Sequence, residues 1–161
     1  MTKRFEGALT ALVDSFFNDT LKKGTCVGCA VGNIVAHAQG SKVYKDENRI
    51  GGLSCDINNY AWSKLFMTSG GEQMVSQFRH EYGEELIAST GYSIQELARV
   101  EYAFETNTRI DFGSYHKHTK AEQMEDQYRG LMAVVEILCN IEGYNADETK
   151  EYKKLFEYVE K

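Results

Sequence analysis

Apolar positions recur at three- and four-residue spacing along this chain, the period of amphipathic helices. Phe5, Leu9, Leu12, Val13, Phe16 and Leu21 form a first stripe. Lys22-Lys23-Gly24 follows it with two cations and a glycine, which suit a helix end. Thr25 then stands as an N-cap before a second stripe of Val27, Ala30, Val31, Ile34, Val35 and Ala38. These segments predict a tight helical hairpin. Further on, Asn59 is placed to cap a brief helix through Tyr60, Trp62, Leu65 and Phe66. A longer one runs from Glu72 through Met74, Val75, Phe78, Tyr82 and Leu86 to Thr90-Gly91.

The sharpest local signals are three caps, each set three residues before a Glu: Ser93 with Glu96, Thr119 with Glu122, and Asn145 with Glu148. Such pairs predict capping boxes, in which side chain and backbone satisfy each other's orphan groups. Their helices carry Leu97, Val100 and Phe104, then Met124, Tyr128, Leu131, Val135 and Leu138, then Tyr152, Leu155, Phe156 and Val159. Residues 39–58 and 107–118 break the pattern, with Lys42-Val43-Tyr44 reading as a short strand. The expectation is an all-α fold: one domain over residues 1–161, a bundle of about six helices with two irregular loop segments.

Composition narrows the partners. Proline is absent, which removes the commonest helix breaker, and ten Tyr and eight Phe supply a large apolar mass. Eighteen Lys and Arg against 24 Asp and Glu give a net charge of −6, so the concentrated positive field that nucleic acid or an anionic membrane surface requires is missing. Glu6, Asp14 and Asp19 interrupt the residues behind Met1-Thr2-Lys3-Arg4, so no apolar export segment is expected there. Four cysteines without an export signal read as cytoplasmic thiols. The partners expected are therefore a protein or a small ligand, with no nucleic acid and no membrane, and a homodimer is compatible with so compact a chain.

The strongest chemical signal is Cys26-Val27-Gly28-Cys29, placed where the second helix is expected to begin. Free N–H groups and the helix dipole favour a thiolate at such a position. On an ideal helix Cys26, Asn33 and His37 all fall within about 80° of Cys29, on one flank of the apolar stripe. That arc reads as a thiol-lined groove. Cys29 and His37 are about 12 Å apart along an unbroken helix, too far to share a metal. A zinc site would need two more ligands from Cys55, His80, His116, His118 or Cys139, and no second Cys-x-x-Cys or suitably spaced His pair exists. Neither a metal nor a cofactor is expected. A redox reading makes Cys26 the acidified thiol and Cys29 its resolving partner, with Asp14 or His37 assisting. A packing reading makes both small adaptable fillers.

Asp14, twelve positions before Cys26, and the Cys26-x-x-Cys29 pair together resemble the active-site hairpin of the AhpD-like, carboxymuconolactone-decarboxylase-type helical proteins. The resemblance spans roughly twenty residues. It implies a helical thiol peroxidase or oxidoreductase whose acidic residue, two cysteines and a later His act together. Asp14 stands where that family usually carries Glu, and Asn33 where it carries the His; Asn cannot shuttle a proton as His does. The run Cys-x-x-Cys-Ala-Val-Gly-Asn also looks like small bacterial and phage proteins, which implies an accessory factor acting on a host component or signalling ligand.

Other groups read more simply. Cys139 lies with Val135 and Leu138 on an apolar face, and Cys55 in a polar loop. Glu101 and Glu105, and Glu122, Glu125 and Asp126, read as solvated helix faces, because the ExxE…ExxD pattern of all-α nucleotide pyrophosphohydrolases is broken at Cys139. Asp56-Ile57-Asn58 starts like a calcium loop but lacks its glycine and closing Glu. Arg109, Tyr115, His116 and His118 in the second irregular segment, with Asn33, are the candidate contacts for a ligand or partner. The leading functional expectation is a small helical binding or regulatory protein of phage-accessory type. The alternative is a thiol–disulfide oxidoreductase or peroxidase-like protein using Cys26, Cys29, Asp14 and His37, and the third is a structural zinc site.

Overall fold

A computed structural model describes residues 1–21, 29–38, 43–44, 49–50, 53–54, 87–110 and 112–156. The fold is an all-α bundle. Helix α1 spans Lys3–Phe17, α2 Ala30–Ala38, α3 Ile94–Asn107, α4 Lys120–Glu142 and α5 Ala146–Lys153, with 3₁₀ turns at Phe112–Lys117 and Lys154–Phe156. Three two-residue strands, β1 (Val43–Tyr44), β2 (Arg49–Ile50) and β3 (Leu53–Ser54), form a small antiparallel meander with Val43 opposite Ile50 and Arg49 opposite Ser54. Of the strand read at residues 42–44, Val43–Tyr44 is present at the edge of this meander, paired with β2, which β3 flanks on its other side. Residues 87–89 are helical and stop at Thr90-Gly91, as the punctuation there predicts. The rest of that helix, and the brief one expected from Asn59, lie outside the described residues.

The first helix ends earlier than its apolar stripe suggests. Asn18 caps it, Asp19 turns left-handed at φ 60°, and Thr20 N–H and Asp19 N–H donate to Ser15 O and Phe16 O at 2.9 and 3.4 Å. That paired closure is a Schellman motif, built here on an aspartate, which tolerates the left-handed region better than most residues. Leu21 therefore fills the core from the turn rather than from the helix, and is fully buried.

Two of the three capping boxes are complete. Ser93 Oγ accepts from Glu96 N–H at 3.1 Å while Glu96 Oε1 accepts from Ser93 N–H at 2.8 Å, and Thr119 pairs with Glu122 at 3.1 and 3.0 Å. Asn145 forms only the forward half, accepting from Glu148 N–H at 2.9 Å.

Leu12, Phe16, Val35, Leu97, Phe104 and Leu138 are among the side chains that bury completely where the helices meet. Among the described residues, helices α3 and α4 form the most extensive pair, followed by the α1–α2 hairpin. Gly130 permits the first: a Cβ there would collide with the Thr108 methyl and stand 3.0 Å from the Phe104 ring. Cys139 is fully buried, as expected, and burial pushes its thiol pKa up.

Candidate functional site

Helix α2 runs antiparallel to α1, so the hairpin has two chemically distinct ends. At the first, the α2 N-terminus meets the α1 C-terminal turn and the second half of α3. Helix α2 begins at Ala30, and Cys29 occupies the capping position: its Sγ accepts from Gly32 N–H at 3.3 Å and its carbonyl from Asn33 N–H at 3.1 Å. Cys29 therefore precedes the first helical residue instead of lying one turn inside the helix, which corrects the register expected from Thr25. Thr25 and Cys26 lie outside the described residues. A helix N-terminal N–H favours the anionic form of a sulfur it donates to, and burial, here 2 % exposure, opposes it.

Across from Cys29 stands Glu101 of α3, only 5 % exposed, and its Oε2 has no hydrogen-bond partner among the described residues. Burial, reinforced by the Glu105 carboxyl one turn on, holds Glu101 well above the ordinary carboxylate range; contacts from the Cys29 thiol and the Val31 N–H pull more weakly the other way. Desolvation dominates such a site and keeps the carboxyl neutral. The pair expected to form a solvated face thus divides: Glu101 is buried and Glu105 is half-buried beside it. The signal was available, because Glu101 lies four residues after Leu97 and three before Phe104, on the apolar stripe itself. Asp126 departs from the solvated-face expectation in the same way. It is fully buried, and its carboxylate accepts Arg109 N–H at 2.8 Å, Ile110 N–H at 3.0 Å and the Arg129 guanidinium at 2.8 Å.

Asn33 is buried and structural in its contacts: its Nδ2 donates to Thr20 O at 2.9 Å and Cys29 O at 3.0 Å, tying the turn after α1 to the start of α2. Asp14 is exposed on α1, and among the described residues no hydrogen bond or ion pair joins it to Cys29. His37 sits on the last turn of α2, at the opposite end from Cys29.

That opposite end holds a cleft of about 390 Å³ between the first turns of α1, the last turn of α2 and residues 88–91. Lys3, Arg4 and His37 line it with Gly7, Ile34 and Ser89 among others. The His37 ring lies against α1 at Gly7, where a Cβ would stand 3.7 Å from its Cδ2, an ordinary contact distance. Arg4 is already held by Glu142 Oε1 at 2.6 Å and Glu96 Oε1 at 3.2 Å, and its guanidinium lies 4.7 Å from the Tyr92 ring centre. Burial drives the Tyr92 hydroxyl pKa well above its usual value. Lys3 makes no ion pair among the described residues, and so leaves a cation facing the cleft.

The second irregular segment contains the 3₁₀ turn Phe112–Lys117. Tyr115 is buried in the 3₁₀ turn, and its carbonyl accepts from Gln123 Nε2 at 2.6 Å. His116 and Arg109 are exposed, and His118 lies 3.4 Å from Glu122 Oε2. The structure does not bring these four side chains into the Cys29 cluster or the cleft. Among the described residues no group of three or more His, Cys, Asp or Glu is arranged to hold a metal ion, and no helix is long and apolar enough to cross a membrane. Comparison with protein-family models, curated proteins and solved structures finds no match to this chain.

Proposed function

We propose that this chain is a small helical binding protein that takes a small anionic ligand in the cleft between α1 and α2. The observation that carries this reading is the cleft itself, about 390 Å³ and lined by Lys3, Arg4 and His37 on a chain of net charge −6. Its volume falls in the range of roughly 300–1,000 Å³ usual for small-molecule sites. Arg4 is already paired with Glu96 and Glu142, so the attraction for an anion falls to Lys3, which makes no ion pair among the described residues, with His37 beside it. An accessory role of the phage type is in keeping with such a sensor or adaptor. Calorimetric titration with inorganic phosphate, citrate and adenosine monophosphate tests the reading. Saturable binding is expected for at least one of them, weakened about tenfold or more in Lys3→Gln and His37→Gln, a change of about 1.4 kcal/mol. No saturable binding of any of the three, or binding indifferent to both substitutions, overturns it.

A second reading, thiol–disulfide chemistry, is favoured by one specific observation: the Cys29 sulfur accepts a helix N-terminal N–H beside a buried carboxyl. The resemblance to AhpD-like proteins supports the same reading. Alkylation rates against pH, for wild type, Cys26→Ser and Cys29→Ser, test it. A thiol titrating well below the free value of about 8.5 is expected, and ordinary titration of both removes the reading.

A further inference from the structure

We propose that Cys29 and Glu101 form one thiol–carboxyl relay, in which Glu101 carries the proton that the Cys29 sulfur loses on attacking a small disulfide. The inference rests on the thiol reading above and names the residue and the co-reactant class that would serve it. Two independent observations meet here. The Cys29 Sγ is oriented by the Gly32 N–H at 3.3 Å at the start of a nine-residue helix. Glu101, 5 % exposed, contacts that thiol and carries a buried Oε2 without a hydrogen-bond partner among the described residues. A buried polar atom without a partner is costly and rare, and a proton-transfer role is one of the few reasons to retain it.

A neutral carboxyl has one oxygen that can accept a proton and one that can give it. In the exchange, the Cys29 S–H bond breaks and its proton passes to one Glu101 oxygen. A bond forms between Sγ and the nearer sulfur of the disulfide, and the reagent's S–S bond breaks. The departing sulfur takes the proton from the other Glu101 oxygen and leaves as a thiol. Cys29 is oxidised to a mixed disulfide, half of the reagent is reduced, and the carboxyl ends as it began. Glu105 on α3 and Cys29 are the titratable groups acting on Glu101 among the described residues, and the Val31 N–H faces it from α2. With Cys29 only 2 % exposed, the co-reactant must be of low molecular weight.

The test uses the full chain carrying Cys26→Ser, in which Cys29 is the one thiol of the tryptic peptide 24–42. The folded protein is treated with 4,4′-dithiodipyridine across a pH series, and labelling of that peptide is followed by mass spectrometry. Labelling of Cys29 is expected to slow tenfold or more when Glu101→Gln is added, with a changed pH profile. Gln is isosteric and neutral, so a merely structural role for Glu101 would leave the rate in place. Fast labelling that ignores Glu101→Gln overturns the relay alone; slow labelling that ignores it overturns the relay and Cys29 as an attacking thiol, and the thiol reading itself is then decided by the titration of Cys26. The infrared carbonyl band of a protonated carboxyl supplies a readout independent of reactivity. It is expected at neutral pH in the parent, absent in Glu101→Gln and shifted in Cys29→Ala. No such band, or one indifferent to Cys29→Ala, overturns the pairing.

Discussion

Glu101 puts its cost where it can be measured. Its carboxyl is neutral in the fold because water is excluded from it, whereas in the unfolded chain it titrates near the model value of 4.5. Between that pH and the raised folded value the native protein holds one proton more than the unfolded chain. The stability this group contributes is therefore complete below about pH 4.5 and is lost as the pH rises through the folded value. The steepest slope is about 1.4 kcal/mol per pH unit for one proton. Glu101→Gln is neutral at every pH and removes the slope. Its melting temperature is expected to exceed that of wild type increasingly as the pH rises from about 5 toward the raised folded value, read by circular dichroism. Curves that run parallel across that window would show that Glu101 ionises normally in the fold.

At the scale of elements, the α3–α4 pair depends on one missing side chain. Alanine is the better helix former by about 1 kcal/mol, so Gly130→Ala stabilises α4 if only propensity counts. Its Cβ, however, would collide with the Thr108 methyl and press on the Phe104 ring, and overpacking of this kind costs about 1–3 kcal/mol. Net destabilisation is expected, seen as a lower urea midpoint with an unchanged slope; an equal or higher midpoint would mean the helices can part at no cost. Ser93→Ala, which deletes the forward half of a complete capping box, is expected to cost about 1 kcal/mol in the same assay.

These elements also show what the text of the chain revealed and why the rest stayed hidden. Caps at Ser93, Thr119 and Asn145 are local chemistry and were legible, as was the α1–α2 hairpin. The end of α1 was misplaced because Leu21 continues the apolar spacing after the backbone has already turned at Asp19. Periodicity records which residues are buried and is blind to whether a turn or a helix delivers them. The candidate sites were half legible. Cys29 and His37 stood out by residue type, but Glu101 was read as surface because charge type outweighed its place on the stripe. Lys3 and Arg4 had no local signal, since only the docking of α2 on α1 makes them line a cleft.

For the molecule as a whole, one side chain joins folding to the proposed binding. Arg4 bridges α1 to the α3 capping box through Glu96 and to the end of α4 through Glu142, whose side chain is 6 % exposed. Arg4→Gln leaves that carboxylate poorly paired and is expected to cost about 1–3 kcal/mol of stability. Since Arg4 also lines the cleft, its loss would weaken binding by either route, and it cannot separate the two. Lys3 can, because it is exposed and lacks an ion pair among the described residues. Lys3→Gln should leave the melting temperature within about a degree of wild type while lowering anion affinity, the small cost usual for a surface substitution. The same logic fixes the salt dependence. An exposed cation attracts an anion through solvent that screens over about 10 Å at 0.1 M salt and about 3 Å at 1 M. Affinity should therefore fall steeply between those salt concentrations in wild type and less steeply in Lys3→Gln, whereas stability, held mainly by buried apolar contacts, should change little. Equal salt slopes for the two proteins would place the anion away from Lys3 and remove the cleft as its site.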